Sequence, residues 1–212
     1  MITFHRYFTK TFFKPFPKVQ WHCPSGNDRI FLTFDDGPYP PVTKPLLDLL
    51  EKEDVPATFF LAGKSIFKYK NELQNLNYRN HSIGSHLFSH LPVNVCKSHK
   101  LEKEIRVTDK LIHKYFDREN QLYRPPYGIL SRKFIQKLNI GKKRIILWSL
   151  MSNDFKWTTK RVLQHLKKSL RKGDIIVFHD SPSAENTLME IIPEFIEYAK
   201  KLGFNFGLLR IN

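Results

Sequence analysis

The sequence predicts an α/β fold of βα units, a parallel sheet or an incomplete (β/α) barrel with about seven short parallel strands. Three observations carry this. Short β-rich runs alternate with helix-patterned segments, the runs are apolar at successive residues, and the polar residues that break them stand at the same end of each. Continuous apolarity suits strands covered on both faces, as parallel strands are. At 212 residues, a full eight-unit barrel of ~250 residues would be cramped.

In chain order, the expected strands are Arg29–Phe34, Ala57–Leu61, Ser82–Ser85, Leu122–Arg124, Arg144–Trp148, Asp174–Phe178 and Asn205–Leu209. Helices are expected between them. Val42–Lys52 places Val42, Leu46, Leu49 and Leu50 at helical spacing after a proline-rich start, and Leu101–Tyr115, Thr158–Leu170 and Glu185–Lys201 carry similar stripes. Thr158 or Thr159 suits the N-cap of the third. Asp35 and Asp36 follow the first strand, and His86 and His90 the third. Arg124–Tyr127 follows the fourth, Asp154 the fifth, and His179–Asp180 the sixth. Carboxyl strand ends converge on one face of such a fold, where sites are built.

The chain carries 35 Lys+Arg against 20 Asp+Glu, a net charge of +15. Most of the basic runs fall in expected helices, where they mark a solvated face. No zinc-finger or RNA-binding signature accompanies them, so charge alone makes no nucleic-acid protein. Cys23 and Cys96 are the only cysteines, which excludes a disulfide scaffold and a four-cysteine zinc site. No apolar stretch is long enough for a transmembrane helix. The basic, aromatic start lacks the apolar core and cleavage site of a secretory signal, which gives a cytoplasmic expectation. Residues 1–28 are read as an arm packed on one domain over 29–212. The alternative is a segment, Phe4 to Trp21, that touches an anionic membrane surface.

Four motifs carry chemistry. Adjacent side chains on a strand point opposite ways, so the carboxylates of Thr33-Phe34-Asp35-Asp36-Gly37-Pro38 can take different jobs, one binding a cation and one accepting a proton. An Asp-Gly-Pro turn alone would look the same. In His86-Leu87-Phe88-Ser89-His90, two histidines on a helical turn would share one face about 6 Å apart, close enough for one metal. A pair of polar core histidines is the alternative. In Arg124-Pro125-Pro126-Tyr127-Gly128 the prolines hold the backbone extended and leave the Tyr127 amide free to donate to an oxyanion. Val177-Phe178-His179-Asp180 ends a buried strand on a polar pair.

Together these motifs, from about Ile30 to His179, resemble the polysaccharide deacetylase family, also called the NodB-homology domain or carbohydrate esterase family 4. The resemblance implies a distorted (β/α) barrel and a metal-dependent hydrolase that removes N- or O-acetyl groups from a carbohydrate. It implies Asp35 as general base, Asp36, His86 and His90 as metal ligands, Arg124 as the residue orienting the base, the Tyr127 N–H as oxyanion donor, His179 as general acid and Asp154 as its tuning carboxylate. Pro126, Tyr127, Trp148 and Val177 are expected to line the substrate. Two imidazoles with one carboxylate suit one divalent ion, zinc first, with cobalt, nickel or manganese as alternatives.

The sequence departs from the family pattern at Leu87, where Ser or Thr is usual, at Met151 and Phe155, where Asp and Trp are usual, and at Val177, where Leu often stands. Two further readings stand beside the enzyme: a glycan-binding relative without turnover, and a basic protein that reuses the fold to bind nucleic acid or membrane. The excess positive charge points to an anionic or lipid-linked glycan at the cytoplasmic membrane face, with peripheral contact to that surface.

Overall fold

A computed structural model describes residues 19–23, 28–138 and 142–210. The elements run β1 Val19–Gln20, β2 Arg29–Asp35, α1 Pro40–Lys52, β3 Ala57–Leu61, α2 Gly63–Lys68, β4 Ser82–Ser85, α3 Ser98–Phe116, β5 Leu122–Tyr123, α4 Arg132–Leu138, β6 Arg144–Ile146, β7 Leu150–Met151, α5 Thr159–Ser169, β8 Ile175–His179, α6 Leu188–Lys201 and β9 Asn205–Phe206. All seven expected strands form, with several ends trimmed. The two-residue strands β1 and β7 and the short helices α2 and α4 were not foreseen, being too brief to show a period. Thr158 does occupy the N-cap of α5, but its side chain makes no capping bond.

Every strand pairing among the described residues is parallel, in the order β1-β6-β5-β4-β3-β2-β8-β7, with β9 beside the start of β2. The connection from β6 to β7 forces this sheet to curl. In a flat sheet those strands would stand about 29 Å apart, six strand spacings. Residues 147–149 between them reach at most about 14 Å. The sheet therefore closes most of the way into a barrel, and residues 147–149 cross the gap. Leu147 N–H donates to Gln20 O on one side (2.7 Å) and Ser149 N–H to Ile175 O on the other (3.0 Å).

Alternation along the strands sorts the core into two layers. Ile30, Leu32 and Phe34 of β2 join Ile176 and Phe178 of β8 in a cluster with Leu46, Leu163, Ile192 and Phe195 of the outer helices. Phe31 and Phe60 pack with Ile175, Val177, Ile146 and Trp148 inside the barrel. Each such fully buried side chain contributes about 1.5–3 kcal/mol relative to exposure.

Residues 19–23 of the expected arm belong to the sheet. Val19–Gln20 pairs with Ile145–Ile146, and His22 bridges to Asp174. Residues 1–18 and 24–27 lie outside the described residues, and with them the arm's packing and most of the Phe4 to Trp21 segment. No helix among the described residues is long and apolar enough to cross a membrane.

Candidate active site

Strand register sets the centre of the site. Along the β2–β8 pair, Phe31 stands beside Ile175, Thr33 beside Val177 and Asp35 beside His179. With period-two alternation all six face the barrel interior. Apolar and hydroxyl side chains fill the lower layers, and the top layer carries a carboxylate and an imidazole on neighbouring strands about 4.8 Å apart.

Asp35 is held by Arg124. Both are buried, and Arg124 Nη1 lies 2.7 Å from Asp35 Oδ1. The same nitrogen donates to Thr33 Oγ1 (2.7 Å), while Nε and Nη2 donate to the carbonyls of Ile146 (3.2 Å) and Leu147 (3.0 Å). The guanidinium also lies over the Phe60 ring, 4.1 Å from its centroid. Asp35 Oδ1 is thus committed, and Oδ2 is left for a proton donor.

Asp36, His86 and His90 form a second cluster whose ligand atoms all lie within 4.8 Å of one another. His86 Nδ1 lies 2.9 Å from Arg124 O. A carbonyl can only accept, so that nitrogen carries the proton and Nε2 presents a lone pair. His86 Nε2 is 3.5 Å and His90 Nε2 3.0 Å from Asp36 Oδ1. Yet that buried oxygen has no hydrogen-bond partner. The His86 lone pair and the His90 ring nitrogen converge on one carboxylate oxygen, the arrangement a cation resolves, so these residues fit a divalent metal. Burial opposes ionisation of Asp36, but His90, His86 and His179 hold its carboxyl below the usual carboxylate range. Burial pushes His86 down, which favours the neutral ring a metal needs.

The expected helical turn under His86 and His90 is absent. The segment is a loop in which Leu87 (φ 62°) and His90 (φ 55°) are left-handed. The rings still meet, with centroids 5.0 Å apart. Leu87 buries its side chain beside Val93, Cys96, Leu101 and Ile105, so the departure at this position supplies packing where a hydroxyl would supply a hydrogen bond.

On the opposite flank, Asp154 grips His179 twice, taking the backbone N–H on Oδ2 (2.7 Å) and Nδ1–H on Oδ1 (2.8 Å). Burial alone would lower the imidazole, but the Asp154 hydrogen bond and charge, with Asp35 and Asp36 beyond, raise its pKa to about 9. Ser152 Oγ, 2.8 Å away, orients Asp154 in turn. Phe155 sets its ring edge-on to His179, centroids 5.0 Å apart, so an aromatic wall persists.

Tyr127 is left-handed (φ 60°) and 61% exposed, its ring 4.7 Å from that of His90. No group among the described residues takes up its backbone N–H. Pro126 is buried beside it, and Trp148 packs under the same loop, where any Cβ at Gly128 (φ 67°) would meet the indole. Val177, 1% exposed, sits one layer below His179 in the barrel core. Of the expected substrate-lining residues, Tyr127 alone presents a large exposed surface.

Of two residues that position the site, Glu104 went unread in the sequence and Asp180 was read only as half of a polar pair, without a role. Glu104 of α3 accepts Phe88 N–H (3.0 Å) and Ser89 N–H (2.8 Å) on Oε2 and the Ser89 hydroxyl (2.6 Å) on Oε1. It thereby ties down the loop that carries both histidines. Its signal was an acid inside the apolar stripe Leu101, Ile105, Thr108, Ile112. Asp180 is fully buried under the Asp-Asp-Gly-Pro loop. It accepts the Thr43 hydroxyl (2.6 Å), its N–H reaches Asp35 O (3.2 Å), and any Cβ at Gly37 would overlap its carboxyl. Burial, then the charges of Asp36 and Asp35, push its pKa well above the usual value.

Comparison with known proteins agrees with this geometry. Residues 23–141 match the polysaccharide deacetylase family. The chain is 28% identical over 196 residues to a peptidoglycan-N-acetylglucosamine deacetylase of Bacillus cereus, covering 91% of this chain and 92% of that protein. A solved peptidoglycan N-acetylglucosamine deacetylase superposes with a TM-score of 0.86 at 24% identity, over 91% of each chain. A carbohydrate esterase family 4 pseudoenzyme from Bacillus anthracis superposes almost as well, with a TM-score of 0.81 at 20% identity over 91% of this chain and 68% of that one. The shared fold therefore does not carry the activity. The side chains must.

Proposed function

The chain belongs to the polysaccharide deacetylase family, and we propose that it is an active member, removing acetyl groups from N-acetylglucosamine units of a glycan. One observation supports this above the rest. Two groups held in buried charge pairs, Asp35 by Arg124 (2.7 Å) and His179 by Asp154 (2.8 Å), stand beside a single Asp36–His86–His90 cluster. Asp36, His86 and His90 would hold one divalent ion, zinc by preference. When bound, such an ion polarises the acetyl carbonyl and lowers the pKa of a water.

The chain's own groups divide the remaining work. Asp35 Oδ2 accepts the water proton, because Oδ1 is occupied by Arg124. The Tyr127 N–H donates to the oxygen on which negative charge grows. His179, kept cationic by Asp154, gives its Nε2 proton to the departing amine nitrogen. The products are acetate and a free amino sugar. The glycan is proposed to be peptidoglycan-like or chitin-like and anionic or lipid-linked, met at the cytoplasmic membrane face. The relatives' substrates support the sugar, and the +15 charge supports the anion. Acetate release from N-acetylglucosamine oligomers, before and after chelation and with zinc restored, tests the core of this reading. Release that ignores chelation, or none with zinc restored, would defeat it. A rate on anionic glycan that falls as salt rises supports the charge argument.

A further inference from the structure

The end of the barrel opposite the catalytic groups is the amino end of its strands, about 20 Å away along β2. Two adjoining cavities open there, of about 600 and 650 Å³, and share Leu208 and Arg210. Their basic side chains are Arg29, Arg79, Arg118 and Arg210. The chain as a whole holds 24 lysines and 11 arginines, yet no lysine lines either cavity. A general surplus of charge would have delivered lysines in proportion. Arginine is the side chain whose planar fork matches an oxyanion with two parallel hydrogen bonds.

Arg118 is already aimed. It donates from Nη1 to His81 O (2.6 Å) and from Nη2 to Tyr78 O (2.9 Å), which fixes its plane and leaves further N–H groups free. Among the described residues none of the four arginines has a carboxylate partner. Burial pushes Arg118 down, so its charge is both partly desolvated and uncompensated. His81, which accepts Ala57 N–H on Nδ1, is held neutral by burial and by Arg118, its pKa lowered to about 4. Glu119 is the one acid lining the cavities, with a side chain 88% exposed and turned to His113 at 3.8 Å.

We propose that this groove is a second binding site, separate from the acetyl-removing centre, that takes a phosphate-type oxyanion: a phosphomonoester or phosphodiester of a glycan or lipid. Four guanidiniums without a carboxylate partner among the described residues, one of them oriented by two backbone carbonyls, suit that chemistry.

The test is calorimetric titration of the full chain with inorganic pyrophosphate at physiological salt. Arg79→Ala and Arg210→Ala should each weaken binding at least fivefold, and the pair together at least twentyfold. Arg210→Lys should also weaken it, since an ammonium cannot offer the fork. Lys110→Ala, which removes an exposed charge from α3, should stay within twofold. No measurable binding, or equal losses from the lysine and arginine variants, would overturn the proposal. Arg118 is left intact because it also ties two backbone carbonyls. Two further arms identify the source of the phosphate: phosphatidylglycerol vesicles, and soluble poly(glycerol phosphate). Arginine-dependent binding to one assigns the ligand to lipid or to polymer, and arginine-independent binding to both overturns the site. All these variants should release acetate from a neutral oligomer at the unmodified rate, so failure here is distinguishable from failure of the catalytic reading.

Discussion

The two flanks of the catalytic centre are built by different physics. On one, Asp35 and His179 end regular strands and are fixed by buried charge pairs with Arg124 and Asp154, with exposures of 0–3% for the Arg124, Asp35 and Asp154 side chains. On the other, His86 and His90 ride a loop with two left-handed residues, and Tyr127 and Asp36 (φ 76°) are left-handed as well. Such backbone costs of order 1–3 kcal/mol per residue and persists only where the surroundings over-determine it. Glu104 and the N–H groups of Gly63 and Lys64, which donate to Leu87 O (2.8 Å) and Phe88 O (2.9 Å), do so here. The strand-borne flank is rigid by register, and the loop-borne flank by ties. Substitutions should therefore damage the first through charge and the second through geometry.

The largest effect should come from Asp35→Asn. It should lower kcat by about 10²–10⁴ while the protein still takes up zinc, because the lost group is a proton acceptor and no ligand. It should also destabilise by about 3–5 kcal/mol, since Arg124 is left as an unpaired buried charge. Metal analysis beside kinetics and urea unfolding checks both. Turnover near that of the unmodified chain would remove Asp35 from the mechanism. Next, Glu104→Ala should act on the loop flank alone. It frees three donors that hold the histidine loop, and zinc affinity should fall about 10–100-fold, the range for losing a group that supports ligands. If competition with a chelator shows unchanged affinity, the loop is held by its own backbone and the contrast between the flanks fails.

The division also explains what could be read from the sequence. Strands covered on both faces write themselves as continuous apolar runs, so β2, β3 and β8 and the polar groups at their ends were legible, Asp35 and His179 among them. Arg124 and Tyr127 were legible because the paired prolines mark the loop. The loop flank was mis-drawn: a spacing of four suggests a helical turn, and nothing in Leu87 signals a left-handed residue as Gly or Asn would. Strands of two residues and helices of six or seven show no period. Glu104 acts on backbone N–H groups and Asp180 on the Thr43 hydroxyl, partners that only the folded chain brings near.

Asp154→Asn should sharpen the comparison through pH. The His179 pKa is raised to about 9 from an ordinary 6.5. Its contribution to stability is therefore complete below pH 6.5 and lost as pH climbs through 9, at most about 3 kcal/mol. The alkaline limb of kcat should follow the same range. Asparagine keeps a hydrogen-bond acceptor but removes the charge, leaving burial opposed only by that bond and by the charges of Asp35 and Asp36. The alkaline limb should then move to lower pH, and the slope of stability between pH 6.5 and 9 should flatten. An unmoved limb would mean that another group supplies the proton.

The smallest effect is expected at Phe155, where the family pattern has Trp. Its ring meets His179 edge-on at 5.0 Å and is 42% exposed, so it shields the imidazole without bonding to it. An edge-to-face pair is worth about 0.5–1.5 kcal/mol. Phe155→Ala should accordingly cost about two- to tenfold in kcat/KM, and Phe155→Trp, which keeps an aromatic edge over the acid, should stay within about twofold. The sign of any pH shift separates two roles for the ring. Removing it admits water to His179, which relieves the burial that opposes its charge and weakens the Asp154 attraction that favours it. If the ring serves as a wall for the sugar alone, KM should rise and the alkaline limb should stay near 9. If it serves the acid, the limb should move while KM holds. The 5.0 Å contact favours the acid, and a pH profile of Phe155→Ala on a single oligomer decides it.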